Sequence, residues 1–240
     1  MRGISRIPVC EACLALPEPL QAEFFCRSCR TPFASAHALD EQRLCEACRE
    51  GQVNFDAAYA FGSYEGALRD LIHLLKYGKV GTVARPLSRF LVRALPFDER
   101  FDVVMAMPMH WRKRWVRGFN QAELLAKPVA RRMGVKLAKN LRRRRYTPAQ
   151  ASLDEAQRRR SPENSFGVRR AEQLAGKRVL LIDDVFTTGA TLRAATAALK
   201  SAGAAHVSAL ALARVDRHTD VWPSEEAAQM AEENAMEASR

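Results

Sequence analysis

Two adjacent carboxylates, Asp183 and Asp184, stand between an apolar run at 179–182 and a turn of small residues: Thr187, Thr188, Gly189, Ala190 and Thr191. The run Val-Leu-Leu-Ile shows no alternation, which is the pattern of a strand buried on both faces of a parallel sheet. An Ala/Leu-rich helical stretch follows as far as Ala202. The turn therefore opens a helix and offers backbone N–H groups, with the positive end of the helix dipole, to an anion. Gly189 lets the backbone come close and the threonine hydroxyls add donors, which together describe a phosphate cradle. The carboxylates are acceptor-only and cannot hold that phosphate. They can accept from vicinal hydroxyls or help hold a hard cation such as Mg²⁺. A phosphate beside a diol is a sugar phosphate, so a ribose 5-phosphate moiety is the natural occupant. A P-loop is excluded, because its Gly-x-x-x-x-Gly-Lys-Ser/Thr spacing and lysine are absent. An ordinary strand, turn and helix with an incidental Asp pair is the plainer alternative.

The cysteines form a second constellation. All six fall in Cys-x-x-Cys pairs: Cys10/Cys13, Cys26/Cys29 and Cys45/Cys48. Outside an oxidising compartment such knuckles favour metal thiolates over disulfides. Cys26, Cys29, Cys45 and Cys48 are the preferred zinc quartet, because fifteen residues separate the two pairs, which suits a tetrahedral site. Cys10 and Cys13 remain as a spare pair, or as half of a site in another pairing. His37 reads as a loop residue. Redox-active thiols are the weaker reading, since no thioredoxin-like strand–helix context surrounds any pair.

The elements that must position these groups are legible in order. An opening strand is expected over 55–61. Leu68, Leu71, Ile72 and Leu75 recur at i, i+3, i+4 and i+7, an amphipathic helix that Gly78 caps. Lys76 and Tyr77 lie in its last turn. A second helix spans about 84–94, and 102–107 is another buried strand, closed by Pro108. The stretch after it carries His110, Trp111, Arg112, Lys113, Arg114, Trp115, Arg117, Asn120 and Gln121. Following a strand end, these lie on the same sheet edge as the acidic motif. Cations there can bind pyrophosphate, and the tryptophans either stack bases or anchor the loop. A helix from about 120 to 133 contains Pro128, which implies a kink or early break. The polar stretch 141–168, with Arg142, Arg143, Arg144 and Arg145, is long enough to form a mobile flap or a solvated basic linker. A last strand is expected at 206–213.

Net charge is +11 over 240 residues, and it is unevenly spread. Residues 111–178 hold twenty Lys or Arg against five acids, whereas 216–240 hold seven acids against two arginines. The first concentration favours polyanionic partners and the second reads as a disordered acidic tail. No apolar run approaches the ~18–20 residues of a membrane helix. The first eight residues lack a signal-peptide core, which points to a cytoplasmic protein without membrane insertion. The expected organisation is a Cys-rich module at 1–52, an α/β body at 53–215 and the tail at 216–240.

The Ile-Asp-Asp-Val-Phe-Thr-Thr-Gly-Ala-Thr-Leu stretch resembles the phosphoribosyl-diphosphate (PRPP) motif of type I phosphoribosyltransferases. There the acidic pair binds the ribose hydroxyls and the turn holds the 5-phosphate. Further pieces extend the likeness: the cysteine knuckles, Leu-x-Lys-Tyr, Pro-Met-His-x₃-Arg-x₂-Arg-Gly-Phe-Asn-Gln and the Arg-rich Thr-x-x-Gln segment. In this order they are similar to the ComF family over roughly residues 8–214. The resemblance implies a type I phosphoribosyltransferase-like parallel sheet with flanking helices, preceded by a zinc-binding segment. It implies PRPP with Mg²⁺ on Asp183, Asp184 and the 187–191 turn. Lys76, His110, Arg114, Arg117, Asn120, Gln121, Arg143 and Arg145 become candidates for pyrophosphate or DNA. It implies a role in natural transformation, with single-stranded DNA and a DNA-uptake helicase or other competence proteins as partners. Family members often carry four cysteine pairs, against three here, so the number of zinc ions is open. An active phosphoribosyltransferase of nucleotide salvage or metabolism, with no DNA role, is the alternative.

Overall fold

The apolar run that carries the acidic pair becomes the centre of a parallel sheet in the computed structural model. The structure describes residues 9–20, 23–33, 35–78, 80–109, 114–115, 117–144, 165–187 and 189–215. In chain order these form α1 (Glu11–Ala15), β1 (Phe24–Phe25), β2 (Pro32–Phe33) and α2 (Glu46–Arg49). The body follows as β3 (Ala57–Ser63), α3 (Gly66–Tyr77), α4 (Ala84–Ala94), β4 (Val103–Ala106) and α5 (Gln121–Met133). Then come β5 (Lys136–Ala138), β6 (Leu141–Arg143), β7 (Phe166–Val168), β8 (Arg178–Ile182), β9 (Val185–Phe186), α6 (Ala190–Ser201) and β10 (His206–Arg214).

The main sheet runs β3-β10-β8-β4-β5, all parallel, with β9 pairing β10 as a sixth strand. Successive residues of its strands serve opposite faces, as the two-residue period requires. Leu180, Ile182, Leu210 and Leu212 pack with Leu68, Leu71, Ile72 and Leu75 of α3 and with α4 and α5. Val179, Leu181, Val207 and Ala209 pack instead with α6 and with Cys26, Cys29, Cys45 and Phe33. The cysteine-rich segment thus shares an apolar core with one face of the sheet.

Two expectations change. Pro128 does not break α5 early, since the helix spans Gln121–Met133, close to the expected bounds. A proline inside a helix costs ~3 kcal/mol. Leu125, Ala126, Val129 and Ala130 are buried on both sides of it, and that packing outweighs the lost hydrogen bond. Gly78 does end α3, but at φ −70 rather than in the left-handed region. It is needed for closeness: a Cβ there would lie 2.7 Å from the Leu74 carbonyl oxygen. The stretch 141–168 begins and ends as the antiparallel ribbon β6–β7, with Arg143 opposite Phe166. Its centre, 145–164, lies outside the described residues, as does the tail at 216–240.

Candidate ribose-phosphate site and cysteine cluster

β8 ends at Ile182, and Asp183 and Asp184 follow at the carboxyl edge of the sheet, where ligands of open α/β folds bind. β10 fixes the pair. The Asp183 N–H donates to the Leu210 carbonyl at 3.0 Å, and the Leu212 N–H donates to the Asp184 carbonyl at 3.1 Å. The Asp184 N–H also donates to Asp183 Oδ1 at 2.9 Å. Burial, and then the neighbouring Asp184 charge, push the Asp183 carboxyl up to about 7, against the Asp184 N–H, Lys76 and Arg143.

Lys76 enters from the last turn of α3 and places Nζ 3.6 Å from Asp184 Oδ2, with both side chains largely buried. Burial works against its charge, but Asp184, Tyr64, Tyr77 and Asp183 more than compensate and hold the ammonium above its ordinary value. Lys76 of the Leu-x-Lys-Tyr stretch therefore stands beside the candidate acidic pair. Tyr64 lies under the same ammonium, 5.7 Å from its ring centroid. The Tyr64 hydroxyl shares a 2.9 Å hydrogen bond with His73 Nε2. Neither residue was singled out in the sequence, since nothing local marks a Tyr and a His that meet only when α3 folds back.

In the turn, Gly189 caps α6 at φ 71, a left-handed conformation that a β-carbon makes costly. Thr187 is exposed, Ala190 opens the helix and Thr191 faces solvent, while Thr188 lies outside the described residues. The Arg193 guanidinium comes within 3.7 Å of where a Gly189 Cβ would stand, so a cation overlooks the turn. Spacing holds a clue to it: Arg193 follows Gly189 by four residues, one helical turn.

The remaining cations divide. Arg117 lies over the Tyr77 ring, 5.0 Å from its centroid, and donates to its hydroxyl at 3.3 Å. Arg143 stands over Phe166, 5.6 Å from the ring centroid. Burial lowers the Arg143 pKa, against the pull of Asp183. Arg114 pairs with Glu123 at 3.1 Å on the surface, beside a Trp115 that is 85% exposed. Asn120 has both ends engaged: Oδ1 caps α5 by accepting from the Ala122 N–H at 3.0 Å, and Nδ2 donates to the Met107 carbonyl at 3.0 Å. Gln121 is buried, with no partner for either amide atom among the described residues. His110, Trp111, Arg145 and Tyr146 lie outside the described residues.

Cys26, Cys29, Cys45 and Cys48 place their four sulfurs within 4.8 Å of one another. The Cys26–Cys48 and Cys29–Cys45 separations are both 3.6 Å. Zinc–sulfur bonds of ~2.3 Å at tetrahedral angles put sulfurs just under 4 Å apart, so the quartet fits one zinc ion. The Cys45 N–H donates to Cys26 Sγ at 3.4 Å and the Thr31 hydroxyl meets Cys29 Sγ at 2.9 Å, contacts that suit thiolates. Cys10 and Cys13 form no part of this quartet. Exposed at the start of α1, they lie 3.3 Å from each other.

Acidic residues at a central strand end, a hydroxyl-rich turn into a helix and a parallel sheet define a type I phosphoribosyltransferase fold. A model of the phosphoribosyl transferase domain matches residues 120–234. DNA utilization protein YhgH of Escherichia coli O157:H7 is 30% identical over 196 residues, covering 79% of this chain and 83% of that protein. Competence protein F of Haemophilus influenzae is 28% identical over 178 residues, 71% of this chain and 78% of that one. Competence protein ComFC of Streptococcus pneumoniae is 28% identical over 168 residues, 70% and 71%. The chain belongs to the ComF family. Among the described residues no helix is long and apolar enough to cross a membrane.

Proposed function

We propose that the chain binds PRPP with Mg²⁺ and handles single-stranded DNA during DNA uptake. The observation that carries the first half is the meeting of Asp183 and Asp184 with Lys76, 3.6 Å from Asp184, beside the turn that opens α6. The carboxylates accept from the ribose hydroxyls. The N–H groups at the start of α6, with Thr187 and Thr191, take the 5-phosphate. Mg²⁺ neutralises the pyrophosphate and polarises its bond to the sugar. Arg143, which interacts electrostatically with Asp183, and Arg117, which lies over Tyr77, are the cations this reading assigns to that pyrophosphate. The second half draws on the names of the relatives and on the excess of cations in 111–178. A basic face with aromatic residues suits single strands.

One observation favours turnover without DNA. Arg143 interacts electrostatically with Asp183 and so can serve pyrophosphate departure rather than a strand. In that reading a nucleophile bonds to the anomeric carbon as the carbon–oxygen bond to pyrophosphate breaks, and the cations stabilise the leaving charge. Calorimetric titration with Mg²⁺-PRPP, followed by a pyrophosphate-release assay with and without oligonucleotide, tests both. Absence of PRPP binding would overturn the site. Release indifferent to DNA, together with no strand binding at low salt, would leave the metabolic reading.

A further inference from the structure

We propose that a cleft on the outer edge of β3 is a second ligand site, which takes one nucleotide unit: its phosphate between Arg30 and Arg93, its base against the aromatic wall. This deepens the DNA-handling half of the proposed function and rests on it for the source of that nucleotide. The cleft has a volume of about 220 Å³, and its walls include Leu20, Phe25, Arg30, Tyr59, Phe61 and Arg93. It lies where the cysteine-rich segment, β3 and the end of α4 meet. In the strand order β3-β10-β8, that is two strands out from the acidic pair.

The two arginines are held rather than loose. Arg30 belongs to the turn between β1 and β2, where its N–H donates to the Cys26 carbonyl at 3.0 Å. Its guanidinium lies over Phe25, 5.4 Å from the ring centroid. Arg93 leaves the last turn of α4 and covers Phe61 at 5.6 Å, and Phe61 is itself stacked on Phe90 at 4.6 Å. Both arginines are exposed, and among the described residues neither forms an ion pair. Glu99, beside Tyr59 of this wall, is engaged elsewhere: it accepts from Arg178 at 2.9 Å and from the Tyr59 hydroxyl at 3.1 Å. Among the described residues, the cleft therefore holds two cations without an ion-pair partner against an apolar, aromatic surface.

That combination selects a chemistry. A guanidinium is planar, always charged and matched to phosphate oxygens, and its face stacks on flat rings. Free phosphate would leave the apolar wall unused, and an apolar ligand would leave two cations unanswered. A carboxylate side chain of an acidic peptide would satisfy the arginines but offers no planar ring to the aromatics. A nucleotide answers both halves. In a single strand it would add a contact distant from the ribose-phosphate pocket, extending the path of the strand onto the cysteine-rich segment.

The test uses the full zinc-loaded chain and the double variant Arg30→Gln/Arg93→Gln, which removes charge from two exposed side chains. Anisotropy with labelled oligo(dT) should show about tenfold or more loss of affinity in the variant. The log–log salt slope should flatten by about 0.7 to 1.4, one or two phosphates' worth. PRPP affinity should stay unchanged. A strand carrying bromodeoxyuridine should photo-cross-link to Phe25 or Tyr59 in the wild type. Thymidine monophosphate that binds the wild type but not the variant supports the site with a free nucleotide as ligand. Binding of the strand alone supports it with nucleic acid as the source. If wild type and variant bind oligo(dT) equally, the cleft is idle while the DNA reading stands. If the wild type binds neither ligand, both fall. An oligo-glutamate peptide that binds the wild type in preference to oligo(dT), and not the variant, overturns the nucleotide in favour of an acidic protein partner.

Discussion

Replacing Asp183 with Asn should stabilise the ligand-free protein at alkaline pH and weaken its hold on PRPP, two effects of opposite sign from one atom pair. Asp183 sits between the Asp184 charge and the apolar end of β8, and its carboxyl is raised from 3.8 to about 7. Between those values the folded chain keeps a proton that the unfolded chain has released. The stability tied to this group is therefore full below about pH 4 and is lost as pH rises through about 7, after which it is flat. At ~1.4 kcal/mol per pH unit, a rise of about three units makes the fully ionised group cost of order 4 kcal/mol. Asn removes that charge and can still accept the Asp184 N–H through Oδ1, a contact of 2.9 Å in the wild type.

Thermal unfolding followed by circular dichroism at several pH values between 5 and 8.5 isolates this one group as the difference between variant and wild type. The difference should grow with pH and reach several degrees at pH 8, since each kcal/mol moves the midpoint by about 2–4 °C in a chain of this size. Calorimetry at pH 8 should show PRPP affinity reduced by about ten- to a hundredfold, the worth of a hydrogen bond to a charged acceptor. A variant as pH-dependent as the wild type, or less stable at pH 8, would refute the burial argument. A more stable variant with full PRPP affinity would refute the assignment of the ribose hydroxyls to Asp183.

Other outcomes follow from the same contacts. Lys76→Met keeps the reach of the side chain but removes a cation that favours the charged form of Asp183, so protonation of that carboxyl should begin at higher pH. The pH below which PRPP affinity declines should rise by about one unit, and an unmoved midpoint would count against the pairing. Purified protein should contain one zinc ion per chain on the four clustered cysteines. Chelation should lower the thermal midpoint and open residues 23–52 to protease, whereas metal-free protein that resists cleavage there would exclude a structural role for the metal.

What local pattern encodes was legible, and what long-range folding assembles was not. The unbroken apolar run marked β8, the 3.6-residue period marked α3, and the Cys-x-x-Cys spacing picked out the four sulfurs that converge. Each is a short-range signal with a single physical cause. Lys76 became a candidate only through the family resemblance: it lies more than a hundred positions from Asp184, and only the return of α3 over the sheet edge brings them together. Asn120 was a reasonable ligand candidate by type, yet the start of a helix after a strand needs a cap, and its amide serves there. An early break at Pro128 does not occur because helix propensity is decided locally, whereas the buried face of α5 is decided by what it packs against.

β10 ties the two constellations into one mechanical unit. The N–H groups of Leu212 and Ala213 both donate to the Asp184 carbonyl, at 3.1 and 3.3 Å, so the acidic pair is clamped to the upper part of this strand. At the next position Arg214 donates from its guanidinium to the Cys29 carbonyl at 3.1 Å. Cys29 is at once a member of the sulfur quartet and of the core that covers the sheet. A displacement of the cysteine knuckle would pull on Arg214, and with it on the strand that sets the height of Asp183 and Asp184. Asp183 gains its charge against burial and with help from Lys76, so a small shift in its distance from that ammonium changes how readily it ionises. β10 thus joins the cysteine quartet to the candidate ribose-phosphate site through consecutive hydrogen bonds of one strand.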